Sequence, residues 1–410
     1  MPGPPSPAEG RLSPPPGLAA SPPPPAAAPA ARMANDVPLL ERMLADMGAA
    51  DPLFRPTSFW EHHEPRTVAW LREHDINRFR EAGHGLSAAF GAQHYVSLPW
   101  GPERLRRLEG LDRSLLVRLL GGRLLGPAAR WVEAARLFDP LTAIGLIKKL
   151  RKSAETLQAL THHCAELLDR DGTLSRIEDS GLGNPSDLFV ADGRRYTFGF
   201  LKRFSEYAYV RGAVDWDRVG SVLEIGPGYG GQAELLLKAH PHLRVCIVDI
   251  PPQLYVANQY LSACFGRSVL GYKEAAEAGT LEASVLDRYR VVCLAPWQLP
   301  ALRGVSFDLF WNSASFQEME PAVVENYAGY VQRLVSGWLY LMNRPGGTRL
   351  ASGGKHGVRE PVVLEHYLRF FSEFALVDRR PARVLPRVQA GEVYDQMLFR
   401  RRGAAGSREP

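Results

Sequence analysis

The stretch Val222-Leu223-Glu224-Ile225-Gly226-Pro227-Gly228-Tyr229-Gly230-Gly231 decides the fold. A short apolar strand carrying Glu224 runs into a glycine-rich turn. A helical pattern follows from Gln232 to His240, and a second strand, Leu243 to Val248, ends in Asp249. This order predicts a βαβ nucleotide-binding unit. Its glycines permit φ > 0 and let a ligand approach where a Cβ would block it. An acidic residue closing the second strand is placed to accept hydrogen bonds from a ribose diol. The other role open to Asp249 is N-cap of the next helix.

Two nucleotide patterns overlap here. Gly226, Gly228 and Gly231 satisfy the dinucleotide spacing G-x-G-x-x-G. Glu224, Gly226, Gly228 and Gly230 form an E-x-G-x-G-x-G loop that resembles that of S-adenosylmethionine (SAM) methyltransferases. Charge distinguishes them. A carboxylate at the mouth of the turn repels a pyrophosphate. SAM has no phosphate and carries a sulfonium and an α-ammonium, which a carboxylate favours. Glu224 therefore points to SAM over NAD.

The chain has 410 residues, 45% hydrophobic and 23% charged, as in an ordinary globular protein with room for two domains. No apolar run reaches the length of about 18 residues that a membrane span needs. The start lacks the charged and apolar blocks of a signal peptide, so a cytoplasmic location is expected. The net charge of +5 is small and its arginines are spread along the chain, a weak pointer to an anionic partner with most charges on solvated faces; no nucleic-acid partner is expected. Cys164, Cys246, Cys264 and Cys293 have no C-x-x-C spacing and read as thiols in a reducing compartment.

Residues 1–35 form a Pro/Ala-rich leader with 12 of the 33 prolines before residue 33, a composition that cannot bury a core. Met33 opens ordinary sequence and is a candidate alternative start. Residues 36–215 read as a mainly helical domain to about 170 and then a connector rich in Gly, Asp, Pro and aromatics, together an acceptor-side lid. Leu39–Met47, Pro65–Glu73, Arg104–Leu120 and Glu155–Leu168 carry apolar residues at helical spacing. The basic Arg104–Leu120 helix is suited either to packing on its own domain or to peripheral membrane contact. From 216 to 402 strands and helices alternate, and 403–410 is a tail. The expected fold is α/β: a Rossmann-like, seven-stranded, mostly parallel sheet with helices on both faces, plus an N-terminal helical domain.

Four stretches carry a closer resemblance. They are Pro56-Thr57-Ser58-Phe59-Trp60 with Ile76-Asn77-Arg78-Phe79-Arg80; Gly183-Asn184-Pro185; the glycine loop with Val248-Asp249-Ile250-Pro251; and Phe307-Asp308-Leu309 through Asn312-Ser313-Ala314-Ser315-Phe316-Gln317-Glu318-Met319. Over about residues 50–400 the chain resembles the class I SAM-dependent methyltransferases, and more narrowly the bacterial sugar O-methyltransferase family. The resemblance implies SAM as cofactor and a sugar hydroxyl, of a glycan or its precursor, as acceptor. It implies that Gly226, Gly228 and Gly230 pass under the methionine part. Asp249 would take the ribose hydroxyls, and Ile250 would pack on the adenine near Leu294-Ala295-Pro296-Trp297. Asn312 would lie at the same strand ends. The proline-rich leader departs from the family pattern.

Methyl transfer to a hydroxyl needs the oxygen, methyl and sulfur in line and a base to take the proton. Glu318, past the fourth strand, and His356, in a glycine loop after the fifth, are the base candidates; Lys355 beside it suits an anionic acceptor. Glu318 could equally be an exposed first-turn helix carboxylate and His356 an ordinary loop histidine. Glu61-His62-His63-Glu64 lacks the i, i+4 spacing of a helical metal site, and His162-His163 is weaker still, so no metal is expected. A dehydrogenase or a nucleotide-sugar-modifying enzyme using NAD is the first alternative, disfavoured by Glu224 and by the lack of a Tyr-x-x-x-Lys pair after the fourth strand. A non-catalytic nucleotide-binding partner is the second.

Overall fold

The computed structural model describes residues 32–81, 158–159, 161–352, 357–382 and 394–403. In chain order the elements are α1 (Val37–Ala49), α2 (Ser58–Glu73), β1 (Phe189–Ala191), β2 (Arg194–Tyr196), α3 (Phe198–Arg211), β3 (Ser221–Ile225), α4 (Gly231–Ala239) and β4 (Arg244–Val248). There follow α5 (Gln253–Phe265), β5 (Val269–Leu270), α6 (Tyr272–Ala278), β6 (Leu281–Glu282), α7 (Ser284–Arg288), β7 (Val291–Leu294), β8 (Leu302–Arg303) and β9 (Phe307–Ser313). The chain closes with α8 (Pro321–Leu334), β10 (Val335–Asn343), α9 (Leu364–Phe370), β11 (Phe374–Pro381) and β12 (Asp395–Arg401).

The main sheet has the order β11-β12-β10-β9-β3-β4-β7-β5. It is mixed: β12 runs antiparallel to both its neighbours, and the remaining pairs are parallel. The expected seven strands become eight. Val269–Leu270 adds an edge strand on β7, and two residues are too few to show a period of two. From central β3 the chain goes out to β4 and β7 and returns to β9 on the other side. Strand order reverses there, which opens a crevice at the carboxyl ends.

Strand residues alternate between two cores, as a pleated sheet covered on both faces requires. Val222, Val245, Ile247, Val291, Cys293, Leu309 and Trp311 face a cluster with α4 and α5. Leu223, Ile225, Cys246, Val248, Val292, Leu294 and Phe310 face one with α8 and α9. Cys246 and Cys293 are buried in these strands, and all four cysteines are free thiols. Among the described residues no helix is long and apolar enough to cross a membrane.

The described N-terminal residues join the first cluster through Leu40, Met43, Trp70, Leu71, Ile76 and Phe79. Helix α2 begins at Ser58 and holds Pro65 inside it, where the sequence suggested a start at Pro65. Pro65 has no N–H to give the preceding turn. The residues before it stay helical because Thr57, Ser58 and Glu61 are tied to other elements. The expected helix at 104–120 lies outside the described residues, and that at 155–168 lies partly outside them.

A buried ion pair anchors this packing. Both Arg80 Nη atoms donate to Asp179, at 2.9 and 2.7 Å, with side chains 3% and 0% exposed. Leu182 O and Thr197 Oγ1 accept from the same guanidinium, and Gly181 N–H and Thr197 Oγ1 donate to Asp179. Arg80 N–H also donates to Gly183 O, at 2.9 Å. A Cβ on Gly183 would lie 2.3 Å from the Phe79 ring, so the close approach requires glycine. Removing one partner of such a pair strands a buried charge. Arg80→Met should lower unfolding stability in urea by about 3–5 kcal/mol. Arg80→Met with Asp179→Leu should cost clearly less than the two single changes added; strict additivity would refute the coupling.

Candidate active site

The glycine loop leaves β3 at the carboxyl edge. Gly226, Gly228 and Gly230 have φ of 75°, 60° and 87°, in the left-handed region that glycine occupies at little cost. Gly226 N–H donates to Val248 O and Gly230 N–H to Pro227 O. A Cβ on Gly226 would sit 2.1 Å from Ser315 Oγ, and one on Gly230 2.9 Å from Leu261 Cδ1.

Tyr229 fixes the loop in place. The Arg80 and Arg203 guanidinium groups both lie over its ring, 5.0 and 4.6 Å from the centroid, and Arg203 Nη1 donates to its hydroxyl at 3.0 Å. Phe79 and Tyr260 meet it edge-on, at 5.4 and 5.0 Å.

Three carboxyl groups end on this edge. Glu224, 3% exposed, has no partner for Oε2 among the described residues. Burial pushes its pKa up to about 8, opposed by Arg203 and reinforced by Glu206 and Asp249. Asp249 accepts from Gly228 N–H at 3.2 Å and from its neighbour Ile250 N–H at 2.8 Å. Burial raises it to about 7 against those two bonds. It does not cap α5, whose cap position is Pro252. Glu318 lies in a short 3₁₀ turn, Phe316–Glu318. Burial raises it to about 8, against a hydrogen bond from Trp60 and the charge of Arg344. Asp249 is within electrostatic reach of both other carboxyls.

Asn312 is fully buried beneath the loop. Its Nδ2 donates to Ile225 O at 2.9 Å and Ser315 Oγ at 2.6 Å, and its Oδ1 accepts from Asn343 Nδ2 at 3.0 Å. These bonds tie β3, β9 and β10 together where the loop begins. Ile250 is half-buried next to Asp249. Trp297 is half-buried and meets Tyr272 edge-on at 6.3 Å.

The start of α2 crosses the loop after β9, some 260 residues away in sequence. Thr57 Oγ1 donates to Glu318 O at 3.4 Å, Ser58 Oγ to Glu320 Oε1 at 2.5 Å, and Trp60 to the Glu318 carboxyl. Glu61 accepts from Arg359 at 3.1 Å, and His63 packs on Phe59 and Trp60. Glu64, one turn past Trp60, is raised to about 7 by burial and by Glu61. The Glu61–Glu64 run thus pairs and packs at this junction. His162, Glu166 and Asp192 do converge, with ligand atoms within 4.8 Å of one another, but both acids are exposed. His356 and Lys355 lie outside the described residues.

Sequence reasoning missed Arg203, Tyr229, Arg344 and Gln232. Gln232, at the start of α4, is 3% exposed, and neither amide atom has a partner among the described residues. Buried polar atoms without partners, here on Glu224 and Gln232 flanking the loop, suit a polar ligand. A cavity of about 510 Å³ lies at the opposite edge of the sheet, lined by Trp216, Arg211, Lys238 and His240 among others. It is remote from these groups.

No family model matches this chain, and no curated protein matches it. Solved structures similar to it include PigF with SAH, at 15% identity over 50% of this chain and 57% of that one, with a TM-score of 0.32. Magnesium protoporphyrin IX methyltransferase (ChlM) from Synechocystis PCC 6803 with bound SAH is 12% identical over 48% of this chain and 82% of its own, with a TM-score of 0.32. The glycopeptide N-methyltransferase MtfA complexed with SAM is 14% identical over 48% and 86%, with a TM-score of 0.31. Likeness this slight decides nothing, so the functional reading rests on strand order and site chemistry.

Gly226→Ala should destabilise the fold through left-handed backbone strain of about 1–2 kcal/mol plus the collision with Ser315. Adding Ser315→Gly should restore the steric part only. A Gly226→Ala protein with unchanged urea midpoint would contradict this geometry.

Proposed function

We propose that the chain is a SAM-dependent O-methyltransferase. The observation that carries this reading is the buried Glu224 carboxyl with an unpartnered oxygen, set at the glycine loop beside Asp249. Such a carboxyl, once ionised, disfavours a pyrophosphate, and its ionised form is stabilised by a cation. The loop backbone of Gly226, Gly228 and Gly230 passes under the methionine part, and Gln232 offers an amide to its carboxylate. Asp249 keeps lone pairs for ribose hydroxyls, beside Ile250 and Trp297 at the adenine end. Asn312 acts as a positioning residue through Ile225 and Ser315. When bound, SAM supplies an electrophilic methyl on a positive sulfur.

The acceptor is a small molecule or glycan, with a sugar hydroxyl as its class by family resemblance and a cytoplasmic setting. It enters between α2 and the loop after β9, so that residues 36–215 act as the acceptor-side cover of a domain spanning 216–402. Glu318 takes the hydroxyl proton as general base. His356 is a second candidate for that role.

Titration calorimetry should detect SAM and its demethylated product S-adenosylhomocysteine (SAH) but not NAD; NAD binding alone would overturn the cofactor reading. The pH sign follows from Glu318. A carboxyl held neutral up to about pH 8 accepts a proton only once ionised. Bound SAM favours the ionised form, so at saturating SAM transfer to an active acceptor should rise with pH to a plateau reached at or below that value. Glu318→Gln should lower kcat by about 10²–10⁴-fold; wild-type turnover in that variant would remove Glu318 from the role.

A further inference from the structure

We propose that the carboxyl groups of this cleft distinguish the methyl donor from its spent product by charge, and that donor binding expels protons from them. The inference rests on the cofactor reading above. It starts from an imbalance in the groups that face one another. Glu224 on β3, Asp249 after β4 and Glu318 after β9 end on neighbouring strands. Asp249 lies within electrostatic reach of the other two.

Among the described residues the compensating cations are fewer, and some are already engaged. Arg203 from α3 faces Glu224, but it is also held on the Tyr229 ring and faces Glu206. Lys202, on the same helix, donates to Glu206 at 2.7 Å. Arg344, after β10, faces Glu318, as does the Trp60 indole from α2. Asp249 meets the N–H groups of Gly228 and Ile250, and the Tyr327 phenol of α8 feels its charge. Among the described residues four carboxyls thus face Arg203, Lys202 and Arg344, and the buried Glu224 has an oxygen with no partner.

Such a cluster has two ways to relieve its excess charge: hold protons or take in a cation. Burial makes holding protons the resting choice near neutral pH, with Glu224, Asp249 and Glu318 raised to about 8, 7 and 8. SAM at neutral pH carries one net positive charge. SAH is the same molecule without the methyl group and is a net-neutral zwitterion. The two differ little in shape, so the cleft separates them by charge.

The sign is fixed by linkage. A cation that favours the ionised carboxyls displaces their protons, so its binding tightens as pH rises through their raised pKa values and levels off above them. A neutral ligand displaces few protons and shows a flatter profile. Near pH 6 both ligands meet neutral carboxyls and bind alike. Near pH 8.5 the donor is preferred, so the product leaves more readily than the donor.

Calorimetry on the full chain between pH 6 and 8.5, in buffers of different ionisation enthalpy, tests this. SAM should release close to one proton near pH 7.5 and tighten by up to about tenfold per pH unit, while SAH releases well under half as many. Glu224→Gln keeps the side-chain shape and should cut the SAM-over-SAH preference at pH 8.5 by about tenfold or more, because SAM affinity falls further than SAH affinity. Circular dichroism and a thermal melt check that the variant folds; if it does not, the wild-type proton counts decide alone. Equal proton release and equal pH slopes for the two ligands would overturn the inference while leaving the cofactor reading intact. Failure of both ligands to bind would overturn both.

Discussion

The grip of two arginines on Tyr229 is the constraint on which the site depends. A loop with three glycines in the left-handed region has little of its own to hold one shape. Tyr229 gives it a handle. Its ring is enclosed by Arg80, Arg203, Phe79 and Tyr260, drawn from three separate parts of the chain. A desolvated cation–π contact contributes about 2 kcal/mol, but Arg80 is tolerable in the interior only because Asp179 and Thr197 complete its hydrogen bonds. The segments around Arg80 and Gly183 therefore shape a loop more than forty residues beyond them.

The same arrangement sets the electrostatics of the cleft. Arg203 lies near Glu224 and would neutralise it, yet it also serves Tyr229 and faces Glu206. The cleft keeps a surplus of carboxyl groups as a result. Burying them is costly unless a proton or cation joins them. A structure that retains this cost at the strand ends, with a well-packed sheet behind it, has the pattern of a binding site that breaks local rules for function.

Much of the fold was legible in the residues. The strand at 222–225, the loop, and the strand ending at Asp249 were read with boundaries shifted by a residue or so, because apolar runs between glycine and acid punctuation leave little choice. Edge strand Val269–Leu270 was not, since two residues carry no periodicity. The start of α2 was misplaced at Pro65, because the helix before it is held by tertiary contacts that propensity does not record. Glu318 was singled out as a carboxylate past β9, but its meeting with Trp60 on a distant helix could not be seen. Asn312 was placed at the correct edge, while its bonds to Ile225, Ser315 and Asn343 became visible only in three dimensions.

Sequence by itself determined the parallel βαβ unit and where its ligand edge must lie, because backbone freedom at glycine and the period of apolar residues are local properties. Tertiary structure alone decided which acids at that edge are desolvated, which cations face them, and which helix meets Glu318. Those depend on residues up to 260 positions apart meeting through packing, and no local pattern encodes that meeting.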